Sequence, residues 1–222
     1  MREHNLSTSN LRSLKHANYI HPTAVIDDSA ILGIGNYIGP YCIIGKDVVL
    51  GDNNRLEAHC SIGTPPEHRD FWHGPFKSVV VGSNCIIREY ATVNSGTTTN
   101  STIGDNVSLL HACYVAHDSI IGNNVTISGN SAMGGHCTIL EGANIGLNVS
   151  IHQYSIIGHY AMIGMGTVIT KKSVIEPTNT YVGNPARFLK INQYAITKNN
   201  LSTQDLERFK TEFNEARSKS RK

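Results

Sequence analysis

The sequence predicts an all-β fold, a parallel β-helix of six-residue repeats with a short C-terminal α-helical tail. Three observations predict it. An aliphatic residue recurs every sixth position: Ile20, Ile26, Leu32, Ile38, Ile44, Leu50, Leu56 and Ile62, then Val81, Ile87 and Val93, then Ile103 and onward without a break to Ile175. The fifth position of the same hexads is small, as at Ala24, Ala30, Cys42, Cys60, Ala91, Ser131, Ala143 and Ala161. Charged residues make up 16% of the 222 residues, where about 25% is usual, and there are 20 glycines. That is too little charge to coat a helical bundle.

A period of six fits neither an α-helix nor a hairpin. It fits a triangular coil in which each hexad is a short strand and a turn, and three hexads close one rung. The aliphatic residue points inward and the small residue sits where the chain turns. Rungs stacked by parallel pairing at about 4.8 Å then bury their faces on their neighbours. Taken in order, residues 1–19 are a polar N-terminal segment, and 20–190 are the coil. A loop at 64–80, TPPEHRDFWHGPFKSVV, interrupts it and carries three prolines and the only tryptophan, Trp72. A loop this long in a compact repeat is usually functional, so Trp72 is a candidate binding residue. A second, smaller polar bulge spans Thr97–Thr102. Residues 191–222 form the tail. There Ser202 and Asp205 resemble a capping box, and Leu206, Phe209, Phe213 and Ala216 share one helical face, which predicts a helix over 202–218 and a frayed basic end, SKSRK.

The formal net charge of +2 is too small to imply a nucleic-acid partner. No run approaches the roughly 18 apolar residues of a membrane span, and the first residues lack the apolar core of a signal peptide. The expectation is a cytoplasmic protein without membrane insertion. The five cysteines, Cys42, Cys60, Cys85, Cys113 and Cys137, each lie four residues after an inward aliphatic. They read as small apolar fillers of one slot; Cys113 is the one to test as a catalytic thiol.

Histidines carry the functional signal. Residues 18 apart stack, so His117, His136 and His152 fall within one residue of a single vertical line on successive rungs. His4, His16, His21, His68 and His73 lie off that line, in the N-terminal segment or the loop. Histidine is the usual general base near neutral pH. Two chemistries fit the line: a general base with substrate-binding neighbours, or a three-histidine zinc site (His111, His117, His136) of the kind β-helical carbonic anhydrases use.

Several stretches bear on that choice. Ala116-His117-Asp118, Gly134-Gly135-His136 and Ile151-His152-Gln153-Tyr154 occur in order. So do Ile20-His21-Pro22-Thr23-Ala24, Ile38-Gly39-Pro40-Tyr41-Cys42, Ile87-Arg88-Glu89, Gly96-Thr97 and Gly183-Asn184-x-Ala186, with Asn192 and Lys198 following. Over about residues 20–205 this set resembles the UDP-N-acetylglucosamine O-acyltransferases of lipid A synthesis, a family of hexapeptide-repeat enzymes. The resemblance implies a left-handed coil and a homotrimer with sites between adjacent coils. It implies no resident cofactor and no metal, with a thioester of acyl carrier protein or coenzyme A as co-substrate and a nucleotide-activated sugar as acceptor. By resemblance His117 is the general base, Asp118 helps to hold it, and the Gly135 N–H receives the developing oxyanion. His136, His152 and Gln153 line the sugar and acyl site, and Asn192 and Lys198 reach the nucleotide.

The sequence also departs from the family. A loop lysine is replaced by Phe71. A histidine three residues before the base becomes Tyr114, which keeps its place as a candidate substrate contact, and another histidine becomes Asn94. A glutamate becomes Tyr194 and the second arginine of a pair becomes Asn199. These departures put the identity of the sugar in question. Met165 falls where the family governs acyl length, glycine in long-chain enzymes and larger residues in short-chain ones, so a short to medium, 3-hydroxy acyl group is expected. The alternatives are a coenzyme A-dependent N-acyltransferase acting on a nucleotide aminosugar, the zinc lyase, and a non-catalytic scaffold.

Overall fold

The computed structural model describes residues 17–219. Among them the chain winds into three sheets of ten, eight and seven strands, parallel and visited in rotation as far as the strand Val168–Ile169. Each strand pairs with the one a full turn later: Tyr19 with Tyr37, Ile43 with Ser61, Ile120 with Thr138. The left-handed parallel β-helix of hexads is the architecture. Most strands are only two residues long because the turn claims the rest of the hexad. The two breaks in the period are insertions after which the inward aliphatics pair again, with one bulge at the loop root where Asn94 faces Thr64. Leu56 pairs with Ile87 and Ile87 with Leu109, offsets of 31 and 22 in place of 18.

The inward aliphatics form one continuous column of core. Ile38, Leu56, Ile87, Leu109 and Ile145 are fully buried, and Ile127 is 2% exposed. All five cysteines are buried and none is in a disulfide. Burial pushes the Cys113 thiol up to about 12, so it holds almost no thiolate near neutral pH, which speaks against a nucleophilic role. Ile127→Ala should cost about 2–5 kcal/mol, because strands of adjacent rungs clamp both sides of the cavity it leaves. A thermal melt checks this, and an unchanged Tm would refute the continuous-core account.

The turns have a rule of their own. One residue in nearly every corner takes a positive φ: Asn53, Asn84, Asn106, Asn124, Asn130 and Asn148 do so, and asparagine tolerates it well. Tyr41, His59, Tyr90, Asp118, His136, Tyr154 and Tyr160 hold the same conformation. Being one rung apart, these side chains stack: Tyr41 on His59 at 5.0 Å, His59 on Tyr90 at 4.9 Å.

The coil ends differently from expectation. After an isolated bridge between Ile157 and Ile175, a strand at Asn179–Val182 pairs in parallel with Met162–Ile163. The chain then reverses, and Arg187–Ile191 returns antiparallel to it. A short helix α1 (Gln193–Lys198) follows, then α2 (Thr203–Lys219). The hexad period carries no information about this return strand or about α1. In α2 the capping box forms: the Asp205 amide donates to Ser202 Oγ at 3.2 Å, and the Ser202 amide to Asp205 Oδ2 at 2.9 Å. Phe209 and Phe213 are buried against the coil. Phe209 stacks on His159 at 4.6 Å, and His159 Nε2 meets Glu212 Oε2 at 2.9 Å. Among the described residues no helix is long and apolar enough to cross a membrane.

Candidate active site

The corner between the second and third faces collects the chemistry. The pairing of Val115 with Met133 and of Met133 with Ile151 puts His117, Gly135 and Gln153 in one row. Asp118, His136 and Tyr154 form the next row. The long loop and the Thr97–Thr102 bulge leave the coil at this same corner, so both insertions fold over one column.

Asp118 is the anchor. Its side chain is fully buried, and the threonines of the bulge wrap it. Oδ2 accepts from the Thr97 amide at 2.9 Å and the Thr97 hydroxyl at 2.7 Å. Oδ1 accepts from the amides of Thr98 at 2.8 Å and Thr99 at 2.7 Å, with both hydroxyls close by. Burial alone would raise this carboxyl. The hydrogen bonds from Thr99, Thr97 and Thr98 outweigh it and hold Asp118 far below the usual carboxylate range. Gly96 permits the wrap, since a Cβ there would run into the Thr99 carbonyl.

His117 Nδ1 lies 2.7 Å from Asp118 Oδ2. An ionised carboxylate only accepts, so Nδ1 carries a proton, and in the neutral ring Nε2 carries the lone pair. Gly135 passes directly over this ring; a Cβ on it would come within 2.7 Å of His117 Nε2. No acceptor among the described residues takes the Gly135 N–H. A basic nitrogen and a residue with an unspent backbone donor are therefore neighbours. His117 is 8% exposed, which leaves little more than one edge of the ring for a substrate.

The ring column around His117 differs from the line of three histidines. His136 meets His117 edge to face at 5.1 Å and stacks on Tyr154 at 4.7 Å. Burial lowers the His136 pKa, against the pull of the Asp118 charge. His152 does not join the column: its Nδ1 is 2.8 Å from the Gln153 carbonyl oxygen, and its ring lines a separate cleft with Gln153. His68, set aside on position alone, lies 5.7 Å from His117 at a near-perpendicular angle. An insertion has no period, so nothing in the hexads could place it. The loop root is tied down by a chain of bonds. Tyr114 donates to Asn94 Oδ1 at 2.6 Å, and Asn94 Nδ2 donates to Thr64 Oγ1 and to the Pro65 carbonyl, each at 3.1 Å. Burial, reinforced by the Glu67 charge, pushes the Tyr114 hydroxyl well up.

The remaining candidates lie elsewhere. Trp72 sits in the loop, 60% exposed. Met165 is 76% exposed on the corner between the first and second faces, away from His117 of the same chain. Asn192 and Lys198 line a second cleft, of about 890 Å³, on the first face. The Asn192 side chain is partly committed: Oδ1 accepts from the Ala195 amide at 3.3 Å, and Nδ2 donates to the Tyr160 carbonyl at 2.8 Å. Lys198 Nζ lies 5.6 Å from the Tyr194 ring centre. Asn192 thus caps α1 and keeps one Nδ2 hydrogen and one Oδ1 lone pair, and Lys198 stands beside it in the same cleft.

His117, Asp118 and His136 present ligand atoms within 4.8 Å of one another, a spacing a metal could use. The donor set argues against it. Asp118 Oδ2 already accepts from Thr97 twice and faces His117 Nδ1, which leaves no lone pair for a cation. His111 packs on Tyr90 at 5.7 Å, one corner earlier, so this chain does not gather His111, His117 and His136.

Comparison with known proteins agrees with this fold. The model of the bacterial transferase hexapeptide family (six repeats) matches residues 29–64 and 100–135. The UDP-N-acetylglucosamine acyltransferase of Francisella novicida is 28% identical over 86% of this chain and 77% of its own, with a TM-score of 0.74. The enzyme of the same name from Campylobacter jejuni is 28% identical over 87% and 82%, with a TM-score of 0.73. Among curated relatives, the acyl-[acyl-carrier-protein]–UDP-N-acetylglucosamine O-acyltransferase of Campylobacter jejuni subsp. doylei is 38% identical over 65 residues, 28% of this chain and 25% of that protein. Its Azorhizobium caulinodans counterpart is 41% identical over 64 residues, 28% and 23%. These local matches span about a quarter of the relatives' length. The chain carries hexapeptide repeats of the bacterial transferase type over residues 29–64 and 100–135, and its likeness in sequence and fold is to the UDP-N-acetylglucosamine O-acyltransferases.

Proposed function

We propose that the protein transfers an acyl group from a thioester, carried by acyl carrier protein or coenzyme A, to a nucleotide-activated sugar of the UDP-N-acetylglucosamine type. The observation that carries this is His117 Nδ1 held by buried Asp118, with Gly135, whose N–H has no acceptor among the described residues, packed over the same ring. His117 Nε2 takes the proton of the acceptor hydroxyl. The oxygen attacks the thioester carbonyl, and the negative charge that forms on the carbonyl oxygen is met by the Gly135 N–H. Collapse expels the thiolate, to which the proton returns from His117. The chemistry needs neither metal nor resident cofactor, so turnover survives a chelator. The working form is a cytoplasmic homotrimer whose neighbouring coil completes each site; light scattering measures it.

The direct assay incubates the protein with UDP-N-acetylglucosamine and a 3-hydroxyacyl donor, follows thiol release and weighs the product. Absence of an acylated sugar with either donor would sink the proposal. An ester is cleaved by mild base, whereas an amide formed on an aminosugar survives, which separates O- from N-acylation. Met165 sets a short to medium chain. Each additional buried CH₂ is worth about 0.8 kcal/mol, so Met165→Gly should shift preference toward longer donors; no shift across a chain-length series would refute the assignment.

A further inference from the structure

His159 is a buried titratable group that the chemistry above leaves unused. It sits on the corner between the third and first faces and is 5% exposed. Its ring lies under α2: it stacks on Phe209 at 4.6 Å, and Nε2 meets Glu212 Oε2 at 2.9 Å. A carboxylate only accepts, so in the neutral ring Nε2 carries the proton and Nδ1 the lone pair. Nδ1 is buried and has no hydrogen-bond partner among the described residues. A second proton can enter only at Nδ1, where the new N–H would face no acceptor. A buried, charged and unsatisfied donor is far costlier than an unused lone pair.

The charged groups around this ring pull in both directions. Burial holds the His159 pKa below its ordinary value; Glu212 of α2 and Glu141 of the coil pull it up, and Arg208 of α2 pushes it down. Arg208 also pairs with Glu212 at 3.6 Å and stands over the Phe209 ring at 4.8 Å. An imidazolium would therefore share both of its partners with a cation already in place. Asp205 is engaged by Ser202 and Arg208. Tyr160 packs on Phe209 at 5.4 Å, and burial pushes its hydroxyl up, so it stays neutral.

This corner governs how α2 sits. The buried side chains of α2 are Phe209 and Phe213. Phe209 rests on His159, while Phe213 and Arg217 wall a cleft of about 1020 Å³ that His152 and Lys171 line on the active-site corner. We propose that His159 is a proton-operated latch for α2: the neutral ring holds the helix docked, and protonation at Nδ1 lifts it from the corner and takes one wall from the cleft. The latch stands on its own, whatever reaction His117 serves. The ring of a lifted helix titrates near the ordinary value of 6.5, and the docked ring below it. Docking is therefore complete above pH 6.5 and is lost as pH falls from there toward the docked value. One proton is taken up on release, so the loss is at most about tenfold per pH unit.

Amide hydrogen exchange on the full chain tests this between pH 7.5 and 5.5, a window above the ordinary carboxylate range. Protection factors of α2 are compared with those of the coil strands Thr126–Ile127 and Asn144–Ile145. In wild type, α2 protection should fall severalfold across the window while the coil strands hold. His159→Gln keeps a donor for Glu212, and His159→Phe keeps the stack; neither titrates, so α2 protection should be flat with pH in whichever remains docked. The His159 ring signals of wild type give a second readout that needs no variant: their midpoint should lie below 6.5 and coincide with the loss of α2 protection. A flat wild type, or a fall that persists in both variants, overturns the proposal. So does a rise in α2 protection on acidification, which would make His159 and Glu212 a salt bridge that acid strengthens.

Discussion

His117→Ala should lower kcat by about 10²- to 10⁴-fold, the usual contribution of a positioned general base, with Tm nearly unchanged. Only His117 among the rings of the column has its tautomer dictated by a buried carboxylate, at 2.7 Å. Its removal leaves Asp118 bonded to the threonine amides and hydroxyls, so the fold loses little. Steady-state kinetics with a melt on the same sample measures both. Full activity in the variant refutes the role. A modest loss on an amine acceptor alongside a severe loss on a hydroxyl acceptor would identify N-acylation, because an amine needs less help from a base.

Asp118→Asn should damage stability and catalysis together. The amide group keeps one acceptor and turns the other into a donor, so buried donors of Thr97–Thr99 face an NH₂. A buried group left unsatisfied costs about 1–3 kcal/mol, and at this chain length each kcal/mol lowers Tm by about 2–4 °C. The NH₂ would also donate to His117 Nδ1 and drive the ring proton to Nε2, removing the base; kcat should fall on the order of 10²- to 10⁴-fold. The pH dependence has a definite sign. The folded carboxyl lies below its ordinary value of 3.8. Its stabilisation is therefore complete above the unfolded pKa of about 3.9 and fades only as pH falls through the folded value. The Tm gap between wild type and Asp118→Asn should stay flat from about pH 5 to 8 and narrow only in stronger acid. A gap that closes between pH 7 and 5 would place the controlling group elsewhere.

These two residues also show what could be read from sequence and what could not. The coil was legible because every sixth side chain must fill the same interior, and Ile38 through Ile169 obey that demand. His117 and Asp118 were legible as neighbours one residue apart. The Thr97–Thr99 wrap was not, because its key partners are backbone amides and no residue type announces them. Nor was His68, whose approach to His117 depends on how a 64–80 excursion folds back, or the commitment of Asn192 to capping α1. His152 misled for a geometric reason: one residue of offset at a corner turns a side chain from one column to the next.

The left-handed corner residues have a broader consequence. Fixed in the same conformation at every rung, they form outer columns whose side chains never enter the interior. Stability is carried mainly by one set of positions and recognition by another; among the corner residues Asp118, buried and bonded to Thr97–Thr99, serves both. His136 and Tyr154 can become other residues while Met133 and Ile151 stay as they are. Such a molecule can exchange one ligand for another by rewriting a vertical column at intervals of a single turn, and its folding sequence need not change at all.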